Sequence, residues 1–479
     1  MSGFIKGENR QQATLFPERI DDYISEENSV RVIDVFVDSL KLKKLGFKTK
    51  PTNKGRPGYE PALMLKLYVY GYLNRVQSSR RLEREAQRNV ELMWLLGRLA
   101  PDFKTIADFR RDNGDAIKEV CAQFVLLCKQ LDLFSESMVA VDGSKFKAVN
   151  NADRAFSKAK IKRRREVIDE SIDRYLENIK KADRQNTNES RNIKTHLKER
   201  LAKVEKEAKR LELLEKKLLK TEDKQISLTD PDARIMATRG RSSVMVGYNV
   251  QSAVDTKNHL IISHEVTNIG NDRAQLSNMA KQAKAVLGAE KLDVLADRGY
   301  YNGEEILACE EDGITPYLPK TQTSGNKAQG LFDRSDFIYD KKTDTYRCPA
   351  DQVLDWRSSM YTGGKQHYRY YASQETCGNC ALKSKCTTGK ERRVTRWEHE
   401  QVIDELDKRM ANHPKMMAVR RCTAEHPFGT IKSWMGHTHF LMKTKPHVST
   451  EMSLHVLSYN LKRVISLIGA TNLIRAIQA

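Results

Sequence analysis

Two acids stand where chemistry is readily built. In SMVAVDGSKF, residues 137–146, the apolar Met138, Val139 and Val141 lead into Asp142 and then Gly143. In KLDVLADRGYYN, residues 291–302, a second apolar run leads into Asp297 and then Gly299. Each reads as a buried strand ending in a carboxylate, which is costly in apolar surroundings unless paired, hydrogen-bonded or metal-bound. Two such carboxylates side by side repel unless a cation lies between them. A hard divalent ion on oxygen ligands meets that need, and Mg²⁺ is the usual choice where phosphates are the substrate. A third acid is offered by RRCTAEHPFGTIKSWMG, where Arg421, Glu425 and Lys432 fall at steps of four and seven. On a helix those steps share a face, giving an acid for metal flanked by two cations for phosphate. An ordinary solvated face with one ion pair has the same pattern. The two strand-end acids and the basic chain favour the functional reading.

The elements that must position these residues can be read coarsely. Residues 15–135 carry apolar residues at helical spacing, with Pro61 in the first turn of one helix and a break at Ser78 and Ser79. Several short helices bearing Arg80, Arg81, Arg84, Arg88, Arg110 and Arg111 resemble a helix-turn-helix-type DNA-binding module, or a plain bundle with a solvated basic face. Residues 151–220 hold 22 Lys/Arg and 13 Asp/Glu with no Gly or Pro. Ile161, Ile168, Ile172, Tyr175 and Ile179, then Leu197, Leu201, Val204, Ala208, Leu211, Leu214 and Leu218, trace two coiled-coil seams joined by DRQNTNES. This predicts a protruding antiparallel hairpin: a DNA clamp, an assembly arm or a solvated insert. From 244 the pattern turns to strands, and the order around the two acids is β-β-β-α-β-α-β. That order indicates a mixed sheet covered by helices, able to hold Asp142 beside Asp297. Residues 320–400 read as irregular, and the chain as helical from Lys415 onward.

Lys plus Arg is 83 against 63 for Asp plus Glu, a net charge of +20 over 479 residues. Such an excess favours a polyanion, nucleic acid first. No run approaches the ~20 apolar residues of a membrane span, and the N-terminal residues lack the apolar core of a signal peptide. A cytosolic chain keeps its eight cysteines reduced or on metal. Cys348, with Cys377, Cys380 and Cys386 of CGNCALKSKC, suggests a structural Cys₄ zinc site, against free or buried thiols. Cys121, Cys128, Cys309 and Cys422 read as core residues. His426, His437 and His439, near Glu425, read as polar packing and phosphate contacts.

AVDGSKFKA, LADRGYYNGEE and RRCTAEHPFGTIKSWMGHTHF, in that order, resemble the three signatures of bacterial insertion-sequence transposases of the DDE class. Arg421, Glu425 and Lys432 match the family's Tyr-x2-Arg-x3-Glu-x6-Lys pattern, while its tyrosine position holds Ala418. The charged insert, SLTDPDARIM and EMSLHVLSYNLKRVI resemble the insertion-sequence 1182 group. The resemblance spans roughly residues 15–465. It implies an α/β fold: an RNase H-like (retroviral-integrase-like) catalytic core over 136–150 and 229–319, completed by C-terminal helices over 401–479. Beside it stand a helical N-terminal DNA-binding domain over 1–135, a helical-hairpin insert over 151–228 and a small Cys-rich insert over 320–400, for which the cysteine spacing suggests zinc. The resemblance also implies cleavage of DNA at insertion-sequence ends and joining of the 3′-OH ends to target DNA. Two Mg²⁺ or Mn²⁺ ions on Asp142, Asp297 and Glu425 would serve the chemistry, with Arg421 and Lys432 gripping phosphates. A metal-dependent endonuclease of the same fold without strand transfer is the alternative. The implied partners are double-stranded DNA, of transposon ends and target, and a second copy of the chain when assembled on DNA. The implied location is the bacterial cytoplasm, at the nucleoid when on DNA, with no membrane.

Overall fold

The computed structural model describes residues 18–48, 57–135, 137–185, 188–221, 223–238, 244–321 and 325–479. The start of the expected 1–135 domain, residues 186–187 of the expected hairpin turn and residues 322–324 of the expected Cys-rich insert lie outside them. Six helices come first: α1 (Ser29–Ser39), α2 (Pro61–Leu73), α3 (Ser79–Ala86), α4 (Val90–Leu95), α5 (Phe103–Asp112) and α6 (Gly114–Gln130). Pro61 opens α2, where a missing N–H costs nothing. Asn89 and Asp102 accept hydrogen bonds from the first backbone N–H groups of α4 and α5. Arg110, expected on a basic DNA face, is instead buried and donates to the Tyr72 hydroxyl at 2.6 Å. It lies with Ile106 on the buried side of α5, an apolar stripe that the arginine count alone could not resolve.

Then follow β1 (Met138–Lys147), β2 (Ala155–Ser157), α7 (Lys158–Gln185), α8 (Asn188–Leu218), β3 (Gln225–Ser227), β4 (Arg234–Ala237), β5 (Val244–Asp255), β6 (Ile261–Thr267), α9 (Leu276–Leu287), β7 (Leu292–Leu295), α10 (Gly303–Glu311) and β8 (Ile314–Tyr317). The central sheet is ordered β4-β5-β1-β7-β8, with β6 also paired to β5. β1 runs parallel to β7, and β7 to β8, whereas β5 is antiparallel to β1, β4 and β6. Alternate residues of a strand face opposite sides of a sheet. Val139 and Val141 accordingly join the main core, while Ala140 joins a smaller cluster with Leu295. Helices α7 and α8, which interrupt the run of strands, pack on each other as a long hairpin, seated on a small core of Phe156, Ile161, Leu211, Leu214 and Leu218 beside the β2–β3 ribbon.

Residues 320–400, read as irregular, carry a second sheet: β9 (Ile338–Asp340), β10 (Thr345–Arg347), β11 (Val353–Thr362), β12 (Lys365–Tyr371) and, after the short helices α11 (Gln374–Gly378) and α12 (Lys383–Cys386), β13 (Val394–Trp397). Its strands are antiparallel. Only one side is well buried, by Phe337, Tyr346, Leu354, Tyr370 and Val394, so polar residues dominate the pattern and mask it. The available signal was Gly363-Gly364 between β11 and β12, at φ +60° and +81°, a two-glycine turn of the kind that joins hairpin strands.

The chain ends in α13 (Glu400–Asn412), α14 (Met416–Gly429), one π-helical turn over Thr430–Trp434, α15 (Lys445–Ile468) and α16 (Ala470–Gln478). Helix α15 is buried at every residue from Thr450 to Leu461. It packs on α2 and α6 of the N-terminal helices and on β6 of the sheet. Asn460 fastens it: its amide donates to the Ile261 carbonyl at 2.8 Å and accepts from the Ile261 N–H at 2.9 Å. Cys121, Cys128 and Cys309 are buried as expected, but Cys422 is exposed, on the outer side of α14.

Gly247 pairs with Lys147 across the β1–β5 ladder, and a Cβ there would stand 2.0 Å from the Phe146 carbonyl oxygen. Gly247→Ala must therefore open the ladder next to the strand that carries Asp142. A loss of about 2–3 kcal/mol in urea unfolding is expected; an unchanged midpoint would contradict this close approach.

Candidate active site

Strand register brings the first two acids together. In the parallel β1–β7 pair Ala140 lies opposite Leu295. Asp142 and Asp297 each stand two residues further on, at the same edge of the sheet. β1 continues past Asp142, paired with β5, while β7 stops at Leu295. Asp297 then opens a short 3₁₀ turn and accepts the Gly299 N–H at 2.7 Å.

Helix α14 brings the third acid. Its buried stripe is Arg420, Thr423, Ala424, Pro427 and Phe428. Ala424 packs in one cluster with Ala140 and Leu295, where small side chains let the helix approach the sheet closely. Glu425, the next residue, is thereby carried to the same edge. The side chain that joins the three acids is Arg420. One guanidinium nitrogen, Nη2, lies 2.5 Å from Asp142 and 3.9 Å from Asp297, and Nη1 lies 3.7 Å from Glu425. The motif gives Arg421 a grip on phosphate and names no cation to join the acids. Arg421 is exposed on the flank of α14, because the buried stripe passes through 420 and not 421. Counting i, i+4 partners of Glu425 could not find Arg420; the burial period of the helix could.

Lys432, in the π turn, reaches β1. Its ammonium donates to Ser144 Oγ at 2.6 Å and to the Lys145 carbonyl at 2.8 Å, above the Phe146 ring. His426 bonds Tyr459 through Nδ1 at 2.9 Å, His439 is exposed, and His437 is buried.

A fourth acid escaped the sequence reading. Gly143 faces Gln251 in register, and a Cβ at Gly143 would meet Gln251 Nε2 at 2.4 Å, Asp272 Oδ1 at 2.6 Å and the Tyr300 hydroxyl at 3.1 Å. Tyr300 donates to Gln251 at 2.5 Å, and the Gln251 and Asn249 amides each donate to Asp272 Oδ1 at 2.7 Å. This polar layer locks the backbone behind Asp142. The signal was again an acid between a strand and a helix, in NIGNDRAQL. Burial raises the Asp142 carboxyl to about 6; Arg420 works against that rise, and Asp297 and Asp272 add to it.

The four cysteines of the second sheet line one small cavity of about 30 Å³ with Phe332 and Phe337. Burial raises the Cys386 thiol, and the other three sulfurs add to the rise. Among the described residues, however, no three of these sulfurs lie within 4.8 Å of one another.

Two transposase families match this chain. One, described as transposase domain (DUF772), matches residues 18–112, the N-terminal helices. The other, described as transposase DDE domain, matches residues 217–461. The second takes in just over half of the chain, and the chain belongs to this family of DDE transposases. Asp297 and Glu425 lie inside that match, while Asp142 lies between the two, ahead of the hairpin. No curated protein matches. Among solved structures, a piggyBac transposase synaptic complex with hairpin DNA is 7% identical over 94% of this chain and 79% of its own, with a TM-score of 0.34, too slight a likeness to bear on the fold. Among the described residues no helix is long and apolar enough to cross a membrane.

The raised Asp142 has a consequence for stability. A carboxyl whose folded value exceeds its unfolded one contributes stability that is fully present below the unfolded value and lost as pH rises through the folded one. For Asp142 that window runs from 3.8 up through about 6. In metal-free protein, Asp142→Asn should raise the melting temperature by a few degrees at about pH 8 and by less at about pH 5. An equal shift at both would mean that the buried charge carries no penalty.

Proposed function

We propose that this transposase cleaves DNA at the ends of an insertion sequence and joins the freed 3′-OH ends to target DNA, with Asp142, Asp297 and Glu425 as its catalytic acids. The observation that carries the reading is the single Arg420 guanidinium within 4 Å of carboxylates from three distant segments. The order β6-β5-β1-β7-β8, with β1 and β7 parallel, supports an RNase H-like core, and the hairpin insert supports a place in the insertion-sequence 1182 group. DDE transposase domains generally use divalent metal ions. The donors here fit Mg²⁺ or Mn²⁺: all are carboxylate oxygens, and Asp297 and Glu425 are about half exposed. Two such ions, when bound, would activate the attacking oxygen and stabilise the leaving one.

The side chains divide the remaining work. Arg420 offsets part of the acids' charge while they stand together and holds their carboxylates toward one point. Arg421, exposed beside Glu425, and Lys432, docked on β1 beside Ser144, are the phosphate grips, the first a bidentate fork and the second a point charge. The polar layer of Gln251, Tyr300 and Asp272 holds the Asp142 backbone still. A structural zinc ion at Cys348, Cys377, Cys380 and Cys386 is supported by their shared cavity, and the sulfurs would draw together around it. Double-stranded DNA fits the basic balance of the chain, and a dimer would hold two ends.

Purified protein with a labelled oligonucleotide carrying the element's end tests the reading. Cleaved and joined products are expected with Mg²⁺ or Mn²⁺ and not with a chelator; nicks without joining would leave an endonuclease. Asp142→Ala, Asp297→Ala and Glu425→Ala should each lower cleavage by about 10³-fold or more while leaving DNA binding nearly unchanged, since several kcal/mol of metal stabilisation are lost.

Hairpin α7–α8 offers a separate test. Each phosphate neutralised steepens the fall of log K with log[salt] by about 0.9. Removing residues 158–218 and joining the ends of the β2–β3 ribbon should flatten that slope and leave the melting of the core intact. An unchanged slope with a dimer turned monomer would make the hairpin an assembly arm.

A further inference from the structure

Glu451 and His455 lie one turn apart on α15, and both are fully buried. Positions i and i+4 share a helix face. His437, 1% exposed, comes to meet them from the loop after the π turn, where Gly436 at φ +67° makes the bend. The two imidazole rings face each other with centroids 3.6 Å apart and planes at 32°. A ring nitrogen from each and a carboxylate oxygen of Glu451 lie within 4.8 Å of one another. None of the four ring nitrogens has a hydrogen-bond partner, although every one is buried. Around them stand Tyr72, Phe146 and Phe440. Arg110, its Nη1 held by the Tyr72 hydroxyl, and Lys432 are charged neighbours, and His439 is a further titratable one on the His437 side.

A neutral imidazole carries one N–H and one bare lone pair. Burial holds both rings neutral, with His437 pushed down to about 3, so each keeps a lone pair to offer. The lone pairs of the two rings, enclosed among aromatic side chains, have no donor to meet them, and each unpaired buried group costs about 1–3 kcal/mol. Glu451 already accepts the N–H groups of Leu441 and Met442, at 2.9–3.0 Å, which fix its carboxylate in place. A carboxylate has about four lone-pair sites, so capacity for a further bond remains. Two neutral nitrogens and one carboxylate oxygen supply three of the four ligands that a tetrahedral zinc takes, with water left for the fourth.

We propose that His437, Glu451 and His455 hold a structural Zn²⁺ that clamps the segment following the Glu425 helix to the buried helix α15. The ion would tie that segment to a helix that also packs on α2 and α6 of the N-terminal helices. It would be separate from the metal site of the three acids and from the cysteine cavity.

The test uses the full chain loaded with zinc chloride and desalted. Cys377→Ser with Cys380→Ser removes the cysteine cavity's share. In that background about one zinc per chain should remain by elemental analysis. His437→Gln with His455→Gln should abolish it, and a chelator should lower the melting temperature only where the histidines are intact. A folded cysteine variant without zinc, or zinc content unmoved by the histidine changes, overturns the proposal. Should the cysteine variant fail to fold, zinc-edge X-ray absorption of the wild-type chain decides: nitrogen and oxygen neighbours support the site, and a shell of sulfur alone overturns it.

Discussion

Three carboxylates cannot be held together without a positive charge among them, and most of the architecture serves that constraint. Asp142, Asp297 and Glu425 come from segments separated by more than a hundred residues each. Their mutual repulsion, added to the desolvation of Asp142, would open the sheet edge if nothing opposed it. Arg420 opposes it from within the helix that delivers Glu425, so the counter-charge and the third acid arrive as one unit. The arginine is itself mostly buried, which strengthens its hold by keeping water from screening it.

That arrangement leans on geometry a few ångströms away. Parallel pairing of β1 with β7 fixes the spacing of the two aspartates, and Ala140 and Ala424 set how near α14 can lie. Helix α15 supplies the wall behind, buried along its middle and fastened to β6 through Asn460. It is the shared surface of the N-terminal helices and the catalytic sheet, so the two matched regions form one packed body and not beads on a chain. The long hairpin lies between strands, and the second sheet lies between strand β8 and helix α13. Insertions at such places cost little loop entropy and leave a core's pairing intact.

Much of this was legible in the chain. The strand that stops just before Asp297, the two seams of the hairpin and the β-β-β-α-β-α-β order are local patterns, set by periodicity and by the cost of burying a bare charge, whereas β1 runs five residues past Asp142 because β5 pairs with it there. Other features were misread for equally physical reasons. Residues 320–400 looked irregular because a small sheet with one buried side has mostly polar residues. Arg110 looked like part of a DNA face because a count of arginines carries no phase, and Cys422 looked internal because its helix is. Asp272 stands between β6 and α9, as Asp297 stands after β7, yet no apolar run leads directly into it.

By itself the sequence determined which residue types were present to do chemistry, and which elements would carry them, because helix and strand periods act over a few neighbouring residues. It determined Asp142, Asp297 and Glu425 as a candidate set, and the basic balance that favours a polyanion. Only the tertiary structure decided which cation meets the acids. Arg420 and Arg421 are alike in type and adjacent in sequence, and the choice depends on which side of α14 faces Ala140 and Leu295. It alone decided that His437, Glu451 and His455 share one buried point, since a loop and a helix face meet there through packing that no local pattern encodes.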